Sequence, residues 1–337
     1  MKRTSEDYII CYFDILGYKN IITRNCIEEK DFIEIIRNIT KMMSSIKNNN
    51  FFLNITPKIY CFSDNFIICI KYDKESVDEQ IGILSALITC MQIVQCKLNT
   101  LNTILVRGSI VRGKLYCGKN FIYGDGLINA YMLENEIARY PRIIIQKEFM
   151  ENIIAECKNL AELFDLKKVN INERNVFCWH NKYTYDIVFE SNLITKEEHE
   201  QRYNEEKEDI KVIRDFDGNY IINFLEAINF YEDDFIEEIS MKEIYKLEYK
   251  KTIEFYFRNF SDNLEIVKKL LWCCDYANKF FLNSNEEKMF NKNSILNKTH
   301  VNLDKICKKF LIEYARKDNT KNEKMHLEYL INTIEGL

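Results

Sequence analysis

Apolar and polar positions change period several times along the chain, and each change marks an element. Residues 7–16, DYIICYFDIL, run through Ile, Tyr and Phe without alternating, which predicts a strand buried on both faces. Over 28–48 the apolar side chains Phe32, Ile35, Ile36, Ile39, Met42, Met43 and Ile46 recur at helical spacing. PKIYCFSDNFIICIKYD, 57–73, predicts two strands turning at Ser63-Asp64-Asn65, residue types that favour tight turns. A second amphipathic helix follows over 77–98, then strand-like residues in NTILVRGSIVRGKLYCG, a helix from 125 to 139, and a strand in YPRIIIQ. The order β-α-β-β-α-β-α-β predicts an α+β sandwich, a βαββαβ core with helices packed on a mainly antiparallel sheet.

Beyond residue 150 the pattern shifts. Segments near 174–190 and 218–224 read as strands, the second entered through the turn signal DFDG. The charged run 193–213 reads as a solvated helix or loop. From 222 onward the spacing is helical, as in NLEIVKKLLWCCDYANKFF, where Leu270, Trp272, Tyr276 and Phe280 have the spacing of a packing face. Residues 1–220 are therefore the expected functional domain, followed by a C-terminal helical extension over 221–337. No internal repeat separates them.

Composition narrows the function classes. With 337 residues, 47% hydrophobic and 29% charged, the chain has the make-up of a soluble globular protein with material for a sizeable core. A net charge of −5 and a pI near 5.7 argue against a general nucleic-acid or membrane-surface binder. The twelve cysteines are scattered without a CxxC pair and only four histidines are present, so neither a disulfide framework nor a zinc set is expected. The N-terminus lacks a hydrophobic signal core and no stretch of about 18 apolar residues is evident, so a cytoplasmic protein with reduced thiols is expected.

Two aspartates stand out against this background. Asp14 interrupts the first apolar strand near its end, and Asp64 interrupts the hairpin. Each alone reads as a strand cap or turn residue. Together, on adjacent central strands, they have another use: an isolated buried carboxylate costs several kcal/mol, of order ~3, unless paired or bound to a cation. Two such groups would hold a pair of hard divalent ions and so align a triphosphate. Five of the nine glycines fall between 108 and 126, which marks turns or a ligand groove.

The residues at this point resemble a family. YFDILGYKNI is similar to the first strand of class III nucleotidyl cyclases, and YCFSDNFIIC to their metal hairpin, with Ser63 where a glycine usually precedes the second aspartate. LVRGSIVRGKLYCG resembles the later strand and its R-x-G-x-x-x-G turn, and IYGDGLINAYMLENEIARYPRIII the helix and strand that follow, so the likeness covers about residues 8–147 in order. The resemblance implies Asp14 and Asp64 as ligands of two divalent cations, Mn²⁺ or Mg²⁺, with the backbone carbonyl of Ile15 joining them. It implies Arg107 at the phosphates and Phe13, Tyr60 and Phe121 on the substrate side. Tyr60 falls where purine cyclases read the base edge, and a tyrosine there suits a smaller pyrimidine ring. That departure, with the AYMLE helix and the KKLLWCCDYANKFF segment, resembles the pyrimidine cyclases of bacterial Pycsar anti-phage signalling. The implied reaction converts UTP, or less favourably CTP, to a 3′,5′-cyclic mononucleotide and pyrophosphate in a head-to-tail homodimer, the product switching on a separate effector.

The chain also departs from the wider pattern. The helix positions that carry an Asn and an Arg in purine cyclases are Ile128 and Met132 here, with Asn129 one residue away. Either another group, for which Arg112 and Arg142 are the candidates, supplies positive charge toward the phosphates, or the enzyme is slow or inactive. The other readings are a cyclase fold that binds nucleotide without turnover, a purine cyclase, a palm-type nucleotidyl transferase, and a structural protein whose aspartates cap strands. His180 and an acidic turn at Asp215 and Asp217 read as structural.

Overall fold

The structure is a computed structural model that describes residues 5–48, 57–72, 77–118, 121–163, 169–171, 174–176, 189–190, 211–231, 235–236, 239–281, 288–315 and 320–337. His180 and most of the charged run, residues 191–210, lie outside these. The chain forms two compact units, residues 1–98 with 105–230, and residues 99–104 with 231–337.

The first unit is built on a sheet of strands β1 (Glu6–Ile15), β2 (Lys58–Phe62), β3 (Asn65–Lys71), β4 (Val106–Cys117), β6 (Ile143–Ile145), β9 (Phe189–Glu190), β10 (Val212–Arg214) and β11 (Tyr220–Ile222), in the order β2-β3-β1-β4-β6-β11-β10-β9. The short β5 (Ile122–Tyr123) folds back on β4, and β7 (Val169–Ile171) pairs with β8 (Arg174–Val176) apart from the main sheet. Pairing is antiparallel except between β4 and β6 and between β9 and β10. The expected α+β class, a mainly antiparallel sheet with helices and a helical C-terminal part, is what the chain adopts. Because β1 lies between β3 and β4 with both faces covered, residues 8–13 are all buried, which explains the unbroken apolar run.

Helices of this unit are α1 (Tyr18–Thr23), α2 (Glu29–Asn48), α3 (Val77–Leu101), α4 (Asp125–Met132) and α5 (Lys147–Leu163), and α4 continues into a π-helical turn, Leu133–Ala138. In α3 the segment Gln80–Leu101, 22 residues with mean hydropathy 1.6, is long and apolar enough to cross a membrane, which corrects the expectation of no such stretch. Of that segment 83% is buried inside the fold, as expected of a core helix. Ten described cysteines are free thiols, six of them buried.

The second unit contains the short hairpin β12 (Phe235–Ile236) and β13 (Ile239–Ser240) and helices α6 (Met241–Phe260), α7 (Leu264–Phe280), α8 (Lys292–Thr299), α9 (Leu303–Tyr314) and α10 (Lys321–Gly336). Ser240, Asn263, Asn291, Asn302 and Thr320 cap the five helices by accepting backbone N–H groups, each worth about 1 kcal/mol. Tyr249, Tyr256, Phe257, Phe260 and Leu270 are fully buried within the unit, and Trp272 stacks on Tyr276 at 5.1 Å. The aromatic spacing read from the sequence is thus core packing.

Candidate functional site

The β1–β3–β4 register assembles the site. Asp14 lies opposite Asn65 on β3 and opposite Arg107 on β4, and Asn65 in turn lies opposite Phe62 on β2. The next row on the same face reads Tyr60, Ile67, Tyr12, Ser109. Side chains alternate faces along a strand, so Asp14, Arg107, Tyr12 and Tyr60 share one face, with adjacent rows about 7 Å apart. Ser63 and Asp64 turn the β2–β3 hairpin, with Ser63 left-handed at φ 58. That conformation suits glycine and costs a serine roughly 1 kcal/mol. It brings Asp64 against the end of β1, where its carbonyl accepts the Ile15 N–H at 3.3 Å.

The Tyr12 hydroxyl donates to Asn65 Oδ1, and Asn65 Nδ2 donates to Asp64 Oδ1 at 3.1 Å. Burial holds the Tyr12 phenol well above its ordinary range, and the charges of Glu134, Asp14 and Asp64 push the same way. Arg107 grips Asp14 with two parallel bonds, Nε to Oδ1 and Nη2 to Oδ2, both 3.1 Å. The same Nε lies 2.5 Å from Glu134 Oε1. Burial acts to lower the Arg107 pKa, but the hydrogen bonds of Asp14 and the charges of Asp14 and Glu134 outweigh it and raise it.

Glu134 was not singled out in the sequence. It sits on the π-helical turn, is 1% exposed, and reaches the sheet because α4 lies directly on β4. A Cβ at Gly113 would meet Gly126 Cα at 2.4 Å, and the Ser109 hydroxyl donates to the Ala130 carbonyl at 2.7 Å. Gly126, Ala130, Glu134 and Ala138 are all buried at four-residue spacing, one stripe of small residues with a glutamate inside it. That stripe is the signal that could have found it.

Tyr60 and Phe121 come to one hairpin. The Tyr60 hydroxyl donates to the Gly118 carbonyl at 2.7 Å, and the Gly118 N–H donates to the Phe121 carbonyl at 2.9 Å. Burial, then the neighbouring thiols, push the Tyr60 phenol up to about 12. Phe121 is 57% exposed beside Tyr116 and Tyr123.

Three expected contributions do not match their placement. Phe13 is fully buried, its ring stacked on Phe66 at 5.1 Å, on the face opposite Asp14, so its side chain offers no surface to a substrate. Arg112 also points to that opposite face, its guanidinium 4.5 Å above the Tyr72 ring. Arg142 is fully buried, bonded to Asp215 and Asp217 and flanked by the rings of Tyr140 and Phe216. Neither arginine can supply charge at Asp14. Asp215 and Asp217 form the expected structural turn, Gly218 N–H closing it on the Asp215 carbonyl at 2.9 Å.

The donor set suits a hard divalent cation. Two carboxylates and a backbone carbonyl at one strand end match an ion held by one or two acids and the substrate's own phosphates. Among the described residues no group of three or more His, Cys, Asp or Glu is placed to hold a metal ion.

No protein-family model and no curated protein matches this chain. Among solved structures it is similar to the guanylyl cyclase Cya2, at 12% identity and a TM-score of 0.36, over 56% of this chain and 91% of that one. It is also similar to a bacterial light-regulated adenylyl cyclase, at 12% identity and a TM-score of 0.31, over 46% of this chain and 80% of that one. Both are likenesses of outline, and the chemistry proposed for this chain rests on its own residues.

Proposed function

We propose that this chain is a nucleotidyl cyclase that converts a pyrimidine nucleoside triphosphate, UTP or less favourably CTP, to its 3′,5′-cyclic mononucleotide and pyrophosphate. The observation that supports this most is the register that sets Asp14 beside Arg107 on one face, with the Asp64 turn against the end of β1. Asp14, Asp64 and the Ile15 carbonyl would hold Mn²⁺ or Mg²⁺. When bound, such ions favour the ionised 3′-hydroxyl and neutralise the triphosphate.

The chain's own residues do the rest. Arg107 is the cation on the site face that can turn toward phosphate oxygens, since a guanidinium binds them in a fixed fork. Tyr60, one row from Asp14, reads the base edge, and exposed Phe121 offers a ring for the base to stack on. The 3′-oxygen bonds to the α-phosphorus as the bond to the β-phosphate breaks, and the hydroxyl proton passes to solvent. A second copy of the chain is the proposed partner, in head-to-tail arrangement: Phe62, Phe121, Tyr123, Ile128, Tyr131 and Met132 are all exposed on the hairpins and α4, an unusual concentration of apolar side chains. The product would act as a diffusible messenger for a separate effector, as in the anti-phage systems the sequence resembles.

A second reading is a nucleotide-binding module without turnover. It is favoured by Ile128 and Met132 on the exposed face of α4 and by the engagement of Arg112 and Arg142 elsewhere. One experiment separates the two: incubation with each of the four nucleoside triphosphates plus Mn²⁺, followed by mass spectrometry. The cyclase reading expects cyclic UMP or cyclic CMP, lost in Asp64→Ala, with activity per mole falling on dilution. A cyclic purine product would overturn the pyrimidine assignment. Intact triphosphates throughout would overturn catalysis, and calorimetry would then test binding.

A further inference from the structure

We infer that Glu134 is a positioning residue that anchors Arg107, so that Asp14 can face a cation while the guanidinium stays at the phosphate end of the site. This rests on the reading of Asp14 and Arg107 given above. Three observations lead to it. The Arg107 Nε is shared, 3.1 Å from Asp14 Oδ1 and 2.5 Å from Glu134 Oε1, while Nη2 bonds Asp14 Oδ2. The Glu134 side chain is 2% exposed, against 16% for Asp14, so the deeper carboxylate is the one that touches no solvent-borne ligand. And Glu134 is carried on a π-helical turn, an energetically uncommon element that recurs at functional sites.

The chemistry follows from competition. A bidentate Arg–carboxylate pair is among the strongest charge-assisted contacts, so Arg107 on Asp14 alone would compete with a cation for both carboxylate oxygens. It would also lose its only described anchor on this face when Asp14 turned away. Glu134 eases that conflict by giving the guanidinium a second carboxylate to pair with. With the guanidinium ion-paired to Glu134 at Nε, its nitrogens can leave Asp14 for phosphate oxygens without the side chain drifting. A buried carboxylate is costly unless paired, so the ion pair also has reason to persist when Asp14 lets go. Glu134 touches neither cation nor substrate in this arrangement, and its effect passes through Arg107.

That path defines the test. Mn²⁺ affinity is measured by calorimetry without nucleotide, in the full chain, for wild type, Glu134→Gln, Arg107→Met and the double variant, each checked for a cooperative melt. In Glu134→Gln the guanidinium, which already bonds both Asp14 oxygens, is expected to stay there when Mn²⁺ competes, and so to weaken Mn²⁺ binding about tenfold. In the Arg107→Met background the same substitution is expected to change it less than about threefold, because there is no guanidinium left to compete. Glu134→Asp should recover part of the wild-type affinity, and KM for the triphosphate should rise more than kcat falls in Glu134→Gln. Equal weakening with and without Arg107 would overturn the inference, making Glu134 a ligand or remote charge, and so would no weakening in either background. Mn²⁺ binding that is insensitive to Asp64→Ala would bring down the cyclase site itself. Binding that depends on Asp64 but is indifferent to the Glu134–Arg107 coupling would remove only the role of Glu134.

Discussion

Adding one methyl group at Gly113 tests whether α4 sits on β4 as described. The Cβ of Gly113→Ala would lie 2.4 Å from Gly126 Cα and 3.1 Å from Gly126 N, where ordinary contacts begin near 3.4 Å. The neighbour is backbone, so no side-chain rotation relieves the clash, and α4 must retreat by about 1 Å, with overpacking of this kind costing roughly 1–3 kcal/mol. The retreat stretches the 2.7 Å bond from the Ser109 hydroxyl to the Ala130 carbonyl beyond useful length. A buried hydrogen bond left unmade adds about 1–3 kcal/mol. At about 2–4 °C per kcal/mol for a domain of this size, the melting temperature should fall by roughly 4–24 °C. Two controls order the effect. At Gly126→Ala the nearest atom is the flexible end of Ile10, at 2.5 Å, with backbone at 3.0 Å, so a smaller loss is expected. At Gly82→Ala, within α3, nothing lies within 4 Å, and a gain of about 0.5–1 kcal/mol is expected because alanine restricts the unfolded chain and favours helix. Calorimetric melts of the three variants check this series. If Gly113→Ala melts no lower than Gly82→Ala, α4 does not press on β4, and the placement of Glu134 against Arg107 loses its foundation.

Two further perturbations probe the charge and thiol clusters. Arg142→Met leaves Asp215 and Asp217 without their buried cation and should cost about 3–5 kcal/mol at neutral pH. Burial acts to raise the Asp217 pKa, but Arg142 outweighs it and lowers it below the usual carboxylate value, so its contribution is complete above the unfolded value, near pH 4, and is lost as pH falls through the folded one. The gap in melting temperature between wild type and variant should therefore narrow below about pH 4, and a constant gap would contradict the ion pair. Cys117 is the second case: the Cys69 thiol, the Tyr8 and Tyr60 hydroxyls and nearby Lys58 bring its thiol down to about 7, against the opposing effect of burial, while burial raises Cys307. Iodoacetamide should label Cys117 with a rise in rate centred near pH 7, read by peptide mass spectrometry, and labelling of Cys307 ahead of Cys117 at that pH would refute the cluster.

How much could be read in advance depends on the range of the interaction. The β1 run, the α2 spacing and the Ser63-Asp64 turn are local patterns, and each became the expected element because backbone propensity and burial pointed the same way. The π-helical turn was not legible, since its residues continue an ordinary helical spacing and were read as one helix to 139. Arg142 was misassigned for a different reason. Its partners lie 73 and 75 residues away in a turn whose pairing with the segment entering β6 no local pattern encodes. Arg112 could have been excluded from the sequence alone, because its offset of five from Arg107 is odd and a regular strand puts the two on opposite faces.

The two faces of α4 bear on where transition-state charge comes from. The inner stripe, Gly126, Ala130, Glu134 and Ala138, is packed and delivers a carboxylate to Arg107. The outer face presents Ile128, Tyr131 and Met132. An arginine at Met132 would project from that outer face, whereas Arg107 rises from the strand beside Asp14, so the cation of this site has a strand origin. The inward glutamate and the apolar outer face are then parts of one arrangement. Arg107 pairs with Asp14 and Glu134, while Asp64 is tied to the same face through Asn65, whose Oδ1 accepts the Tyr12 hydroxyl. On the proposed function, a divalent cation accompanying the triphosphate would supply the positive charge that Arg107 alone does not.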